Sequence, residues 1–192
     1  MEEHVTNKCK FRIINYQDGS KYIGEIENNV KNGHGILYLP NWVRYVGEFK
    51  NDKIEGYGKL YYSFNDLIYE GEFKNNVREG YGIIYYDDGG RYEGELKNDL
   101  REGYGKVFYS DGIYEGEFKN NVREGYGILY FPNGSKYEGE LKNNLREGFG
   151  TYYYSDGNIY EGEFKKNNKD GHGIYYYTNR DIYKGEFKND LK

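Results

Sequence analysis

Tyr-x-Gly-Glu occurs eight times in this chain, beginning at Tyr22, Tyr45, Tyr69, Tyr92, Tyr114, Tyr137, Tyr160 and Tyr183, with a spacing of 22 to 24 residues. Recurrence at such a period marks a repeat array, in which each unit is too small to bury a core alone. The distance from the tyrosine to the first glycine of a Gly-x-Gly pair is always eleven, from Tyr22 to Gly33 through Tyr160 to Gly171. Positions within a unit are therefore fixed, and all length variation falls between Gly-x-Gly and the next tyrosine. Seven full units precede an eighth that reaches Lys192 with its first strand only. Residues 1–15 read as an N-terminal tail plus a degenerate capping strand (Phe-Arg-Ile-Ile-Asn-Tyr begins at Phe11), and 16–192 as the array.

The composition agrees with an array rather than a globule. Tyr (26) and Gly (28) dominate and the apolar share is 36%, below the roughly 45–50% of domains with a deep core. The abundance of rings argues against disorder. No run approaches the roughly 18 apolar residues of a membrane helix and no apolar leader opens the chain. With one cysteine, Cys9, no bridge forms within the chain, so a reducing, cytoplasmic setting is expected. The net charge of −5 and the scattering of basic residues disfavour nucleic acid, whose affinity comes mainly from neutralising phosphates.

Inside a unit the period is two, which predicts strands. Tyr69, Gly71 and Phe73 point one way and Glu70, Glu72 and Lys74 the other. After a loop from Asn75 to Glu79, Gly80, Gly82, Ile84 and Tyr86 share one face, and Tyr81, Ile83 and Tyr85 the opposite one. Asp52, Asn76, Asp99, Asn121, Asn144 and Asn168 supply a loop residue suited to positive φ. Asp88-Gly89, Asp111-Gly112, Asn133-Gly134 and Asp156-Gly157 supply the turn between units, and Pro40 and Pro132 fall at that same turn. The expected fold is all-β: an elongated, single-layer, twisted antiparallel meander of hairpin repeats of about 23 residues. Sixteen strands at about 4.8 Å give a ribbon roughly 75 Å long.

Comparison between units identifies the faces. The position after Gly-x-Gly is Ile36, Lys59, Ile83, Lys106, Ile128, Thr151 and Ile174, so it meets water. The next position is Leu37, Leu60, Ile84, Val107, Leu129, Tyr152 and Tyr175 and never carries charge. The packed repeat core is thus Tyr69, Gly71, Phe73, Gly80, Gly82, Tyr92, Gly94, Leu96, Gly103, Gly105, Tyr114, Gly116, Phe118, Gly125, Gly127, Tyr137, Gly139 and Leu141. The opposite face carries acidic rows (Glu72, Glu95, Glu117, Glu140) beside rails of rings (Tyr81 and Tyr85, Tyr104 and Phe108, Tyr126 and Tyr130, Phe149 and Tyr153). Contiguous exposed rings point to a protein partner with apolar and basic residues.

Catalytic and ligand motifs are lacking. Gly80-Tyr81-Gly82 has neither the third glycine nor the helix start of a phosphate loop, and His4, His34 and His172 are too scattered for a metal set. One glutamate per unit implies a structural or solvating role, since catalysis needs one asymmetric site. No enzyme activity, cofactor or metal is expected.

Tyr-x-Gly-Glu-Phe, Gly-x-Gly eleven residues on and the Asp-Gly turn resemble MORN repeats (membrane occupation and recognition nexus), from about Tyr16 to Lys192. The resemblance implies single-layer sheets that act as protein-binding scaffolds, often dimeric, at the cytoskeleton or the inner face of a membrane. Three positions depart from the family pattern. Its tryptophan is replaced by Phe49, Phe73, Leu96, Phe118, Leu141 and Phe164, its loop glycine by Asn or Asp, and its histidine by Glu55, Glu79, Glu102, Glu124 and Glu147. An alternative role is a peripheral phospholipid-binding module using the row Lys50, Lys74, Lys97, Lys119, Lys142 and Lys165, against which the glutamates act. The edge strand Tyr183 to Lys188 is expected to pair with a second copy.

Overall fold

The computed structural model describes residues 10–63 and 66–192; His4 and Cys9 lie outside them. The described residues form sixteen strands: β1 (Lys10–Asn15), β2 (Lys21–Glu27), β3 (Val30–Tyr38), β4 (Val43–Lys50), β5 (Lys53–Tyr62), β6 (Asp66–Lys74), β7 (Val77–Tyr85), β8 (Arg91–Lys97), β9 (Leu100–Tyr109), β10 (Gly112–Lys119), β11 (Val122–Tyr130), β12 (Lys136–Lys142), β13 (Leu145–Tyr153), β14 (Ile159–Lys165), β15 (Asn168–Tyr176) and β16 (Ile182–Phe187). They lie in one open antiparallel sheet in chain order. This is the meander that the repeats predict. The chain divides into two compact units, one reaching to Tyr86 and taking in Leu96–Asp99, the other Asp87–Glu95 with Leu100–Lys192.

The core sits on one side of the sheet and is built mainly of rings, with Leu96, Val107 and Leu141 among them. Tyr22, Tyr45, Tyr69, Tyr92, Tyr114, Tyr137 and Tyr160 are fully buried. In the second unit Phe118 meets Tyr92 and Tyr114 edge to face, with ring centres 5.3 and 5.1 Å apart. Phe164 likewise bridges Tyr137 and Tyr160 at 5.0 and 5.2 Å. In the first unit Phe49 joins Tyr22 to Tyr45 and Phe73 joins Tyr45 to Tyr69 in the same way. Each phenylalanine therefore ties its own repeat to the one before it. Such pairs contribute about 0.5–1.5 kcal/mol each beyond area burial, so cohesion accumulates along the array.

The tyrosine needs two bare backbones beneath it. Gly116 pairs with Gly127 across β10 and β11, and a Cβ on Gly127 would lie 2.5 Å from the Tyr114 ring. Strict alternation then breaks. Gly116 faces Gly127 and Phe118 faces Arg123, so Glu117 alone opposes Glu124, Gly125 and Tyr126 in a bulge. Gly125 takes φ +76 there, and its missing Cβ points at the Glu117 carboxylate. The first glycine of each Gly-x-Gly pair is thus a bulge residue, which corrects its assignment to the packed face by simple alternation. The second glycine, represented by Gly82, Gly105 and Gly127, is buried as expected.

The intra-unit loop is shorter than expected. Asn75 and Asn76 both have positive φ, 51° and 72°, and β7 resumes at Val77. A two-residue turn with positive φ at both positions matches the twist of the strands it joins. In the last full repeat the pair is Lys166 and Asn167, so Asn167 rather than Asn168 holds the second position. The Asn or Asp there does more than tolerate the geometry. Asn144 Oδ1 accepts the Arg123 N–H at 2.9 Å, and the Asn144 N–H donates to the Arg123 carbonyl at 3.1 Å. The Arg123 guanidinium lies 5.5 Å from the Tyr114 ring centre and donates to the Asn144 carbonyl at 3.1 Å. Glu124 accepts the Asn143 N–H at 3.0 Å. Arg-Glu-Gly of one repeat thereby clamps the turn of the next, and the turn's Asn or Asp and the Glu before Gly-x-Gly belong to that clamp.

Substituting Gly127→Ala is expected to destabilise the protein by about 1–3 kcal/mol, because the added Cβ would overlap the fully buried Tyr114 ring; thermal unfolding with circular dichroism checks this. Burial pushes the hydroxyls of Tyr45, Tyr69, Tyr114 and Tyr137 upward, and that of Tyr160 to about 12. A phenol whose pKa is raised on folding stabilises the native state fully below its unfolded value near 10. That stabilisation is lost as pH climbs from about 10 towards 12. Tyrosinate absorbance from the buried rings should therefore appear together with loss of the β signal in that window.

Candidate functional site

Opposite the tyrosine core, each unit presents rings that stand clear of the sheet, Tyr57 and Tyr81 in the first and Tyr104, Tyr126 and Phe149 in the second. Tyr57, Tyr81, Tyr104, Tyr126 and Phe149 are 51%, 55%, 53%, 50% and 52% exposed. Each is the central residue of Gly-x-Gly, immediately after the bulge. The second rail is less open. Tyr85 is half-buried and donates to Glu70 at 2.7 Å. Phe108 is half-buried with the Arg91 guanidinium 3.7 Å from its centre, and Tyr153 lies under Lys136 at 4.3 Å. Tyr130 is 40% exposed. Tyr81 in the first unit and Tyr104, Tyr126 and Phe149 in the second are therefore open, and most of the second rail is covered.

The glutamates between the rings have local work. Glu117 Oε1 accepts the Tyr126 N–H at 3.0 Å, and Glu140 Oε1 that of Phe149 at 3.1 Å. Glu95 and Glu72 do the same for Tyr104 and Tyr81 at 3.3 and 3.1 Å. On the other side of the bulge, the Tyr114 hydroxyl donates to the Glu117 carbonyl at 2.8 Å. The bulge frees one donor and one acceptor, and side chains of the same repeat satisfy both. Sequence patterning placed these glutamates on the exposed face, where they lie, but gave no sign of this bond, because the bulge that creates it is invisible to a period of two.

Further along the same strands, the Tyr104 and Tyr126 hydroxyls donate to Glu115 and Glu138, each at 3.2 Å. Lys106 and Lys136 approach the same carboxylates at 3.0 Å and hold them below the usual carboxylate range. The acidic rows are thus partly neutralised, and the Tyr104 and Tyr126 rings are tethered at their hydroxyls.

Histidine replaces the ring at two places, and a hollow opens at each. In the second unit a cavity of about 530 Å³ is lined by Phe149, Glu161, His172, Ile174 and Lys184 over Gly173 and Gly185. In the first unit the same repeat positions, Phe11, Ile23, His34, Ile36 and Val46 over Gly35 and Gly47, line one of about 270 Å³. The smaller side chain in a row of tyrosines is the signal for the hollow.

Among known families, the model of the MORN repeat matches residues 22–44, 45–63, 69–91, 92–113, 114–136, 137–159, 160–182 and 183–192. No curated protein matches the chain. Among solved structures, the TCP domain of SAS-4 from Drosophila melanogaster, in complex with a proline-rich motif of Ana2, is similar over 92% of this chain and 90% of its own, at 18% identity and TM-score 0.48. Virginiamycin B lyase from Staphylococcus aureus is similar over 96% and 86%, at 10% identity and TM-score 0.20. Neither likeness is close enough to carry an argument about function. No helix among the described residues is long and apolar enough to cross a membrane.

The bulge bond can be tested separately from the ring. Glu117→Ala should cost about 1 kcal/mol by leaving the Tyr126 N–H to water alone, whereas Glu117→Gln, which keeps an acceptor oxygen, should cost well under half of that. Urea unfolding of the two variants checks the difference.

Proposed function

Because the chain belongs to the MORN-repeat family, we propose that it is a non-catalytic scaffold whose open face binds a segment of a partner protein. The observation that carries this reading is the set of exposed rings Tyr104, Tyr126 and Phe149 in the second unit, each with its backbone N–H held by a glutamate of its own repeat, and with the Tyr104 and Tyr126 hydroxyls donating to a glutamate of the next. Rigid aromatic surface presented without a covering layer lowers the entropic cost of binding, and exposed apolar strips of this kind are characteristic of interaction sites. The backbone groups of the face are consumed by the ladder between strands, so side chains must provide recognition. Glu72, Glu95, Glu117 and Glu140 retain oxygen lone pairs towards solvent and favour lysine or arginine in the partner. In this reading residues 16–192 are the binding array with β1 as its cap, the setting is cytoplasmic, and the β16 edge pairs with a second copy.

A peptide combining apolar and basic residues, drawn from a small panel, should raise the melting temperature of the protein by mass action. The combined substitution of Tyr126→Ala and Tyr130→Ala should abolish that rise while leaving the unliganded protein folded. Equal stabilisation of the variant, or none of the wild type across the panel, contradicts the reading. For the β16 edge, light scattering across a concentration series should show growth from monomer to dimer mass; a constant monomer removes that component.

A further inference from the structure

The spacing of the exposed rings specifies the shape of the partner, if the face is a binding face as proposed above. Tyr104, Tyr126, Phe149 and His172 occupy equivalent places on β9, β11, β13 and β15, each separated by one intervening strand. Two strand spacings set equivalent rings about 9.6 Å apart. We propose that β9–β16 bind a proline-rich segment in the polyproline II conformation, lying across the strands with three residues per repeat.

Polyproline II has three residues per turn and rises 3.1 Å per residue, so every third side chain returns to the same face after about 9.3 Å. Over the three intervals from Tyr104 to His172 the accumulated mismatch is only about 0.9 Å. An α-helix returns to the same face after seven residues, about 10.5 Å, and drifts about 2.7 Å over the same span. A fully extended peptide advances about 10 Å in three residues, but its third side chain points away from the sheet. The polyproline II helix also needs no hydrogen bonds from its host for its backbone, and this face has no ladder to offer. Aromatic-lined grooves are the known complement of such segments.

The electrostatics agree. Lys106 and Lys136 neutralise Glu115 and Glu138, leaving the middle of the stripe suited to uncharged proline rings. At the β15 end, His172 lies 3.7 Å from both Glu163 and Glu186, and the 530 Å³ hollow opens beside it. A bulky apolar residue anchors there, followed by an arginine or lysine.

The test is fluorescence anisotropy with a labelled peptide of four Pro-Pro-Leu triplets ending in two arginines. It should bind the intact chain, at least tenfold more tightly than a peptide with one glycine inserted after every triplet. Shortening to two triplets should weaken binding at least tenfold. Tyr126→Ala should do the same and Tyr126→Phe should not; Phe149→Ala supplies a second variant, each confirmed as folded by circular dichroism. Equal affinity for the in-register and glycine-spaced peptides overturns the proposal. If a helical peptide with leucines seven residues apart binds and loses affinity on Tyr126→Ala, while the triplet peptide does not bind, the polyproline II assignment fails and the scaffold stands. If neither peptide binds, or only vesicles of phosphatidylserine and phosphatidylcholine do, both readings fail.

Discussion

The tyrosine ring lying flat across a pair of opposed glycines is the contact from which the rest of the structure follows. A one-layer sheet has no second layer to bury against, so its apolar atoms must be covered by its own side chains. In each repeat the Tyr of Tyr-x-Gly-Glu covers the glycine two residues ahead and the glycine across the ladder. Its hydroxyl reaches the carbonyl of the following glutamate. Opposite that carbonyl the partner strand bulges, and the bulge places Gly125 and its equivalents in the left-handed region. The glutamate carboxylate then closes the other side of the bulge. Tyr, Gly, Glu and Gly-x-Gly are thus four parts of one device, and their invariant spacing along the chain is the record of it.

Cohesion between repeats comes from two sets of contacts made only with neighbours. Phe49, Phe73, Phe118 and Phe164 join neighbouring tyrosines on the packed side, Leu96 and Leu141 being buried at the equivalent place, and the Arg-Glu-Gly segment clamps the next turn at its edge. Stability in such an array is a sum of unit and interface terms, and the ring packing lies on one face only. The residues of the opposite face are consequently able to vary between ring and imidazole without disturbing the fold. That variation makes the hollows beside His34 and His172. On the proposed reading, a partner docks on the side of the sheet opposite the packed rings.

Much of this was legible in the sequence because repetition exposes it. Eight copies give eight readings of each position, so Lys59 and Lys106 identify the wet face and Val107 the dry one without a structure. What alternation cannot show is where alternation fails. Gly80 and its equivalents were placed on the packed face because a period of two has no means to represent a bulge. Glu72, Glu95, Glu117 and Glu140 were read as solvent-facing, which they are, but their bonds to the backbone follow from that same bulge. The turn asparagines were recognised for their tolerance of positive φ. Their bonds to the preceding repeat, 20 to 22 residues away, depend on register between hairpins, which no local pattern encodes.

The stacking of tyrosine on glycine can be observed directly through ring-current shifts in a proton NMR spectrum of the intact chain. The Hα resonances of Gly116, Gly127, Gly139 and Gly150, which lie beneath Tyr114 and Tyr137, should move far upfield of Gly134, whose open side faces no atom within 4 Å. If those four glycines resonate with Gly134, the rings do not lie where this account needs them, and the bulge, the clamp and the free face lose their common cause.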